Sequence, residues 1–169
     1  MRLIKNPWIG HEGYNCFGCC PTNLYGVKMR FYEDKKEVVC FWKPQERYQS
    51  WVNTLHGGIQ SVLLDEICGW VVSHHMRKSG VTAKMETRFR KPVVIDQDYV
   101  ELRARLRETK RNIAIVDGEI ISAKGEILVE CTCTYFTFDE ANAPIEVPYS
   151  PTEVGEEITR EEALALLSI

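Results

Sequence analysis

The chain has 169 residues, 44% hydrophobic and 27% charged, a size and balance that suit one globular domain with a sizeable core. Its 21 basic and 24 acidic residues leave a net charge of −3, which gives no electrostatic ground for a nucleic-acid partner or an anionic membrane surface. No apolar run approaches the roughly 20 residues that span a bilayer, and Lys5 and Pro7 interrupt the opening before an apolar stretch builds up. Neither an anchor nor a signal peptide is expected, and a cytoplasmic location is the default.

Residues 1–24 form a lead-in, irregular from about residue 6 and rich in Gly, Asn, Pro and Cys. Gly26 to Phe31 fits a short strand and Glu37 to Trp42 (EVVCFW) a second, with the polar turn Glu33-Asp34-Lys35-Lys36 between them. A polar loop over residues 43–56 leads to Gly57-Gly58, which opens a long helix running to about Lys78 and ended by Ser79-Gly80. Val81 to Lys91 is a strand broken by Pro92. Tyr99 to Arg107 alternates Val100, Leu102, Ala104 and Leu106 with Glu101, Arg103, Arg105 and Arg107, a half-buried strand with one wet face. Asn112 to Ser122 and Glu126 to Phe138 are two more strands, joined at Ala123-Lys124-Gly125. Residues 139–169 are a C-terminal extension. It is irregular to about residue 155, and then Glu157 to Leu167 fits a short helix with Thr159 and Glu162 spaced as a capping box.

Strands that do not alternate with helices exclude a doubly wound parallel fold. The expectation is a single α+β domain, one antiparallel sheet of about six strands packed on one helix.

The long helix carries the informative pattern. Ile59, Val62, Leu63, Ile67, Trp70, Val71 and His74 share one broad apolar stripe. Gly58, Ser61, Asp65, Cys68, Gly69 and Val72 lie on the other side, where a surface helix would carry Lys, Glu and Gln. A helix without a polar outer face is buried on more than one side. Its small residues suit close approach by another backbone, including one from a second subunit.

An acid in such a place is solvated, paired or used. Asp65 is the preferred acid, either bonded to its neighbours or catalytic. Glu66, on the apolar side, is the second choice. At the helix start, unpaired N–H groups and partial positive charge would stabilise a carbonyl gaining negative charge, and Gly57-Gly58 would let it come close.

The segment Asn53-Thr54-Leu55-His56-Gly57-Gly58-Ile59-Gln60-Ser61-Val62-Leu63-Leu64-Asp65 resembles the signature of hotdog-fold thioesterases of the 4-hydroxybenzoyl-CoA and phenylacetate-pathway type, with the acid nine positions after the His. The likeness extends in order over residues 15–138. It takes in Cys16-Phe17-Gly18-Cys19, Asn23, Gly26-Val27-Lys28-Met29, Thr82 and Phe89-Arg90-Lys91-Pro92.

The resemblance implies a hotdog fold, a long helix wrapped by a curved antiparallel sheet. It implies a homodimer, or a dimer of two such dimers, with sites at the subunit interface, and hydrolysis of an acyl-CoA thioester without a cofactor. Asp65 would act as general base or nucleophile. The Gly58 N–H would polarise the thioester carbonyl, His56 would position the thioester, and Thr82 of the facing subunit would hold the water or the acid. Gly57, Asn53, Gln49 and Ser61 would line the substrate, and Arg88, Arg90 and Lys91 are candidates for the coenzyme A phosphates or else an exposed strand edge. Ser50 departs from the pattern, since many relatives carry Asn or Gly there, and Asn53 and Gln49 are the nearby polar substitutes.

Two other functions stay open: a non-catalytic acyl-CoA-binding module on the same fold, and a hotdog hydratase using a His base. Cys16, Cys19 and Cys20 with His11 suggest zinc, but a four-ligand site would need Cys131 and Cys133 as its second pair, so no metal is expected. Most of the seven cysteines read as small, reduced core residues. His74-His75 suits a helix C-terminus, where the dipole favours it.

Overall fold

The computed structural model describes residues 1–168. Its elements are β1 (Arg2–Lys5), β2 (Tyr32–Asp34), β3 (Glu37–Trp42), α1 (Gly57–His75), β4 (Ser79–Phe89), β5 (Val100–Lys110), β6 (Ile113–Ser122), β7 (Ile127–Phe138), β8 (Glu153–Glu157) and α2 (Arg160–Ala165). The strands form one antiparallel sheet of eight, ordered β4-β7-β6-β5-β3-β2-β1-β8, that curves around α1. This is the hotdog architecture, with eight strands rather than about six.

The centre of the sheet follows the sequence pattern closely. β6 and β7 join through Ala123-Lys124-Gly125, where Gly125 takes a φ of 82° and Ser122 N–H reaches Glu126 O at 2.8 Å. The alternation of β5 buries Val100, Leu102 and Ala104 against α1 and leaves Arg105 wet. β3 is buried along both faces. Val38, Cys40 and Trp42 join the main core, while Val39 and Phe41 join a smaller outer cluster with Tyr32 and Ala163 of α2. The Thr159 and Glu162 capping box expected before that helix is present.

Three boundaries differ from expectation. The helix ends at His75, because Arg77 turns left-handed at φ 56° and sends Ser79 and Gly80 into β4. Gly26 to Phe31 is not a sheet strand: Lys28 turns left-handed at φ 56°, and Val27 and Met29 donate instead to the carbonyls of Phe17 and Gly18. β1 and β8, at opposite ends of the chain, pair with each other at the far edge of the sheet.

α1 is covered on nearly all sides, as a helix without a polar face requires. Leu63, Leu64, Ile67, Cys68, Val71 and Val72 are all buried. Cys68 and Val72, on the small-residue side, therefore meet this chain's own sheet. Gly118 of β6 makes that approach possible: a Cβ there would stand 2.8 Å from Cys68 Sγ and 2.9 Å from Cys131 Sγ.

Candidate active site

The small-residue side of α1 faces β4 and the end of β7. Asp65 sits there, partly exposed, with two hydroxyl groups fixed on it. Thr82 of β4 donates to Asp65 Oδ1 at 2.8 Å. Tyr135 of β7 donates to the Asp65 carbonyl oxygen at 2.8 Å and lies 3.3 Å from Oδ1. Thr82 and Tyr135 are register partners across β4 and β7, so one sheet position delivers both. Burial pushes the Tyr135 hydroxyl well above its ordinary pKa, which keeps it a donor. One carboxylate oxygen is thus anchored and Oδ2 is left to other partners.

Thr82 thus bonds the acid of its own chain, whereas the expectation had it hold the water or the acid from the facing subunit. A bulge between Thr82 and Lys84 shifts the strand's phase just beyond it. Tyr135 was not singled out from sequence as a site residue. The available signal was its place on one strand face with Cys131 and Cys133, aimed at the helix.

At the start of α1, His56 is the N-cap. Its Nδ1 accepts the N–H of Gly58 at 2.9 Å. The amide expected to polarise a carbonyl is thus occupied by His56, whose side chain is exposed. The Gly57 N–H has no partner among the described residues, and Phe89 closes one side of Gly57 at 3.7 Å from an added Cβ. Seven residues of helix separate Gly58 from Asp65, a rise of about 10.5 Å.

The polar residues named from sequence are engaged in bonds of the preceding loop and of the first helical turn. Asn53, at φ 56°, accepts the N–H groups of Ile95 and Asp96 at 3.1 Å, and Gln49 Oε1 accepts the Asn53 N–H at 3.1 Å. Ser61 donates to the Gly57 carbonyl at 3.1 Å. Ser50 donates to Thr54 O at 3.3 Å. Arg88, Arg90 and Lys91 are not brought to Asp65. Arg90 pairs with Glu130, and Lys91 with Glu126. Arg88 lies on the outer sheet face with Arg105 and Arg107, along a groove of about 650 Å³.

Glu66 points away from Asp65, into the lead-in, where it accepts the indole N–H of Trp70 at 3.1 Å and meets Cys16. Cys131 and Cys133 do not approach Cys16 and Cys19. They face Cys68 in the core, with Sγ separations of 3.8 Å from Cys131 to each neighbour.

The sheet wrapped on one helix defines a hotdog protein, with the candidate acid on that helix and glycines at its N-terminus. Residues 52–129 match the family model described as "Thioesterase superfamily". Among solved structures, the chain is similar to a thioesterase superfamily protein (23% identity, TM-score 0.64), covering 69% of this chain and 60% of that one. It is also similar to a hypothetical thioesterase from Streptococcus pneumoniae TIGR4 solved with coenzyme A (21% identity, TM-score 0.61, 66% and 89% covered). A Streptococcus mutans UA159 protein bound to acetyl CoA gives 18% identity and TM-score 0.59, with 66% and 89% covered. The pneumococcal protein has also been solved with single Asp-to-Ala and Thr-to-Ala substitutions. The fold is the hotdog fold, and the stretch from residue 52 to residue 129 within it matches the thioesterase superfamily model.

Proposed function

We propose that the protein hydrolyses an acyl-CoA thioester to the free acid and coenzyme A. The observation that carries this reading is the Asp65 carboxylate, anchored through Oδ1 by Thr82 and flanked by Tyr135, on the helix whose N-terminus is Gly57-Gly58. Asp65 Oδ2 takes a proton from water as general base. The water oxygen adds to the thioester carbonyl carbon, and the oxyanion that forms is held by the amides at the start of α1. Collapse of that intermediate breaks the C–S bond, and the coenzyme A sulfur leaves with the proton that Asp65 took from water, which restores the carboxylate. His56 releases the Gly58 N–H by turning toward the substrate. Asn53, Gln49 and Ser61 hold the loop and first turn in place for it.

One thioester cannot touch both ends of this site within a chain. Carbonyl carbon and oxygen are about 1.2 Å apart, whereas Gly58 and Asp65 are separated by about 10.5 Å of helix. The reading therefore includes a homodimer in which the helix start of one chain faces Asp65 of the other. β4 suits that role, since it is the edge of the sheet and largely exposed, with Val81 and Phe89 among its exposed apolar residues. Two such dimers would build the larger assembly. Coenzyme A phosphates would fall to Arg88, Arg90 and Lys91, the last two exchanging their glutamate partners. No helix among the described residues is long and apolar enough to cross a membrane. We place the reaction in the cytoplasm, where seven free cysteines stay reduced.

The test is thiol release from a panel of acyl-CoA thioesters, from short aliphatic to aryl. Asp65→Asn is expected to lower kcat by about 10²–10⁴-fold with the far-UV spectrum unchanged. Wild-type turnover in Asp65→Asn would remove the base. Tight acyl-CoA binding without turnover by the wild type would favour the binding module. A larger loss in His56→Ala than in Asp65→Asn, with enoyl thioesters hydrated, would favour the hydratase.

A further inference from the structure

The lead-in before β2 holds a side-chain cluster that thioester chemistry does not use. Cys16 and Cys19 bracket a short turn in which Cys16 Sγ accepts the N–H of Cys19 at 3.4 Å and lies 3.3 Å from Cys19 Sγ. Glu66 enters this turn from the side of α1 away from Asp65, with both carboxylate oxygens 3.6 Å from Cys16 Sγ. Gly18 leaves the room it needs, since a Cβ there would stand 2.6 Å from Glu66 Cγ. The two sulfurs and a carboxylate oxygen lie within 4.8 Å of one another.

The surroundings are arranged around these three groups. The Trp70 indole N–H holds Glu66 Oε1 at 3.1 Å and leaves Oε2 directed at the sulfurs. The Tyr14 hydroxyl lies 2.9 Å from Cys19 Sγ and accepts the side-chain N–H of Asn6 at 2.7 Å. The polar neighbours of the half-buried Glu66 carboxylate are thus an indole and thiols, none of them a cation. A negative group so placed is costly unless a positive charge joins it.

We propose that Cys16, Cys19 and Glu66 bind a thiophilic divalent cation of the zinc class, with solvent as the fourth ligand. Zinc accepts this mixture of sulfur and carboxylate oxygen at about 2.3 Å and about 2.0–2.2 Å, and tetrahedral geometry sets the sulfurs about 3.8 Å apart. The turn must open by about 0.5 Å to reach that spacing. Binding converts two thiols to thiolates and releases two protons, so the cation, two sulfurs and carboxylate carry one net negative charge. Trp70 and Tyr14 act as outer partners that orient the ligands. Cys16 is partly exposed, which gives the cation a way in. The trio Cys68, Cys131 and Cys133 has none of these features: all three are buried, and no carboxylate belongs to the group. Cation binding would pin the lead-in to α1 one residue from Asp65.

The reduced, chelator-treated full chain is titrated with Co²⁺ as an optical probe. The expected result is one Co²⁺ per chain with thiolate-to-cobalt charge-transfer absorption, displaced by Zn²⁺. Cys16→Ser and Cys19→Ser abolish that absorption, Trp70→Phe weakens Co²⁺ affinity by about 10- to 100-fold, and Cys131→Ala leaves it unchanged. Far-UV spectra of the metal-free variants establish that they fold, and Glu66→Gln, which preserves side-chain shape, repeats the test by weakening affinity. No charge-transfer absorption in the reduced wild type would overturn the proposal, as would absorption that survives Cys16→Ser and disappears in Cys131→Ala. A Cys16–Cys19 disulfide in the oxidised protein, with no Co²⁺ uptake after reduction, would also overturn it.

Discussion

Asp65 is placed by two neighbours of different kinds. Thr82 is exposed and its bond is to the carboxylate, whereas Tyr135 is buried and its shorter bond is to the helix backbone. Tyr135→Phe removes a buried donor from the Asp65 carbonyl and is expected to destabilise the chain by about 1–3 kcal/mol. A urea midpoint that does not move would show that Tyr135 carries no such bond. The acid, the glycines and His56 were legible in the sequence because their spacing is local to one helix. Tyr135 was legible only as a strand-face residue, since the helix position above it depends on how the sheet curves. Its register partner Thr82 carried the same ambiguity, and its phase is further shifted by a bulge that leaves no mark in the composition.

The seating of α1 on the sheet is set by close contact at β6 and by a polar anchor at the helix end. Gly118→Ala places a methyl group between Cys68 and Cys131 and is expected to cost about 1–3 kcal/mol by overpacking. Combining it with Cys68→Ala should restore most of that loss in a urea titration, and additive losses would contradict the contact.

At the other end, His74 lies 2.7 Å from Thr152 Oγ1 and 3.3 Å from Glu33 of β2, which also binds Arg2 of β1. Burial, and then the neighbouring His75, hold the His74 imidazole below its ordinary pKa, against the pull of Glu33. The unfolded chain therefore takes up the proton first as pH falls. The stability this contributes is present above about pH 6.5 and is lost as pH falls from there through the folded value. Unfolding free energy should drop less between pH 7 and pH 5 in His74→Asn than in the wild type, and parallel slopes would contradict this. The edge elements were the least legible in the sequence. β1 and β8 are short, charged and paired across the whole chain, so no local pattern announces them. β3 was legible as a strand, and its unbroken apolar run is explained by α2 covering its outer face.

At the scale of the whole molecule, the hotdog fold puts the two halves of the proposed site on one helix but too far apart to share a substrate. The separation of about 10.5 Å joins the exposed β4 edge to the chemistry: both would be met by the proposed second copy of the chain. The apolar-stripe projection separated Asp65 from most of the core side chains, but could not tell that Cys68 and Val72, on the same side, would meet the chain's own sheet. Strand curvature decided that, and with it how much of the helix is left for a partner.

Complementation between inactive variants tests this account most directly. Gly58→Pro deletes the amide hydrogen at a first-turn position where proline is tolerated, and Asp65→Asn deletes the base. Each variant alone should release almost no thiol. Unfolded and refolded together, they should regain about one quarter of wild-type activity, because half the dimers are mixed and each mixed dimer holds one intact site. If the mixture stays as inactive as either variant alone while mixed dimers form, the amide and the carboxylate do not act across the interface, and the proposed site is wrong.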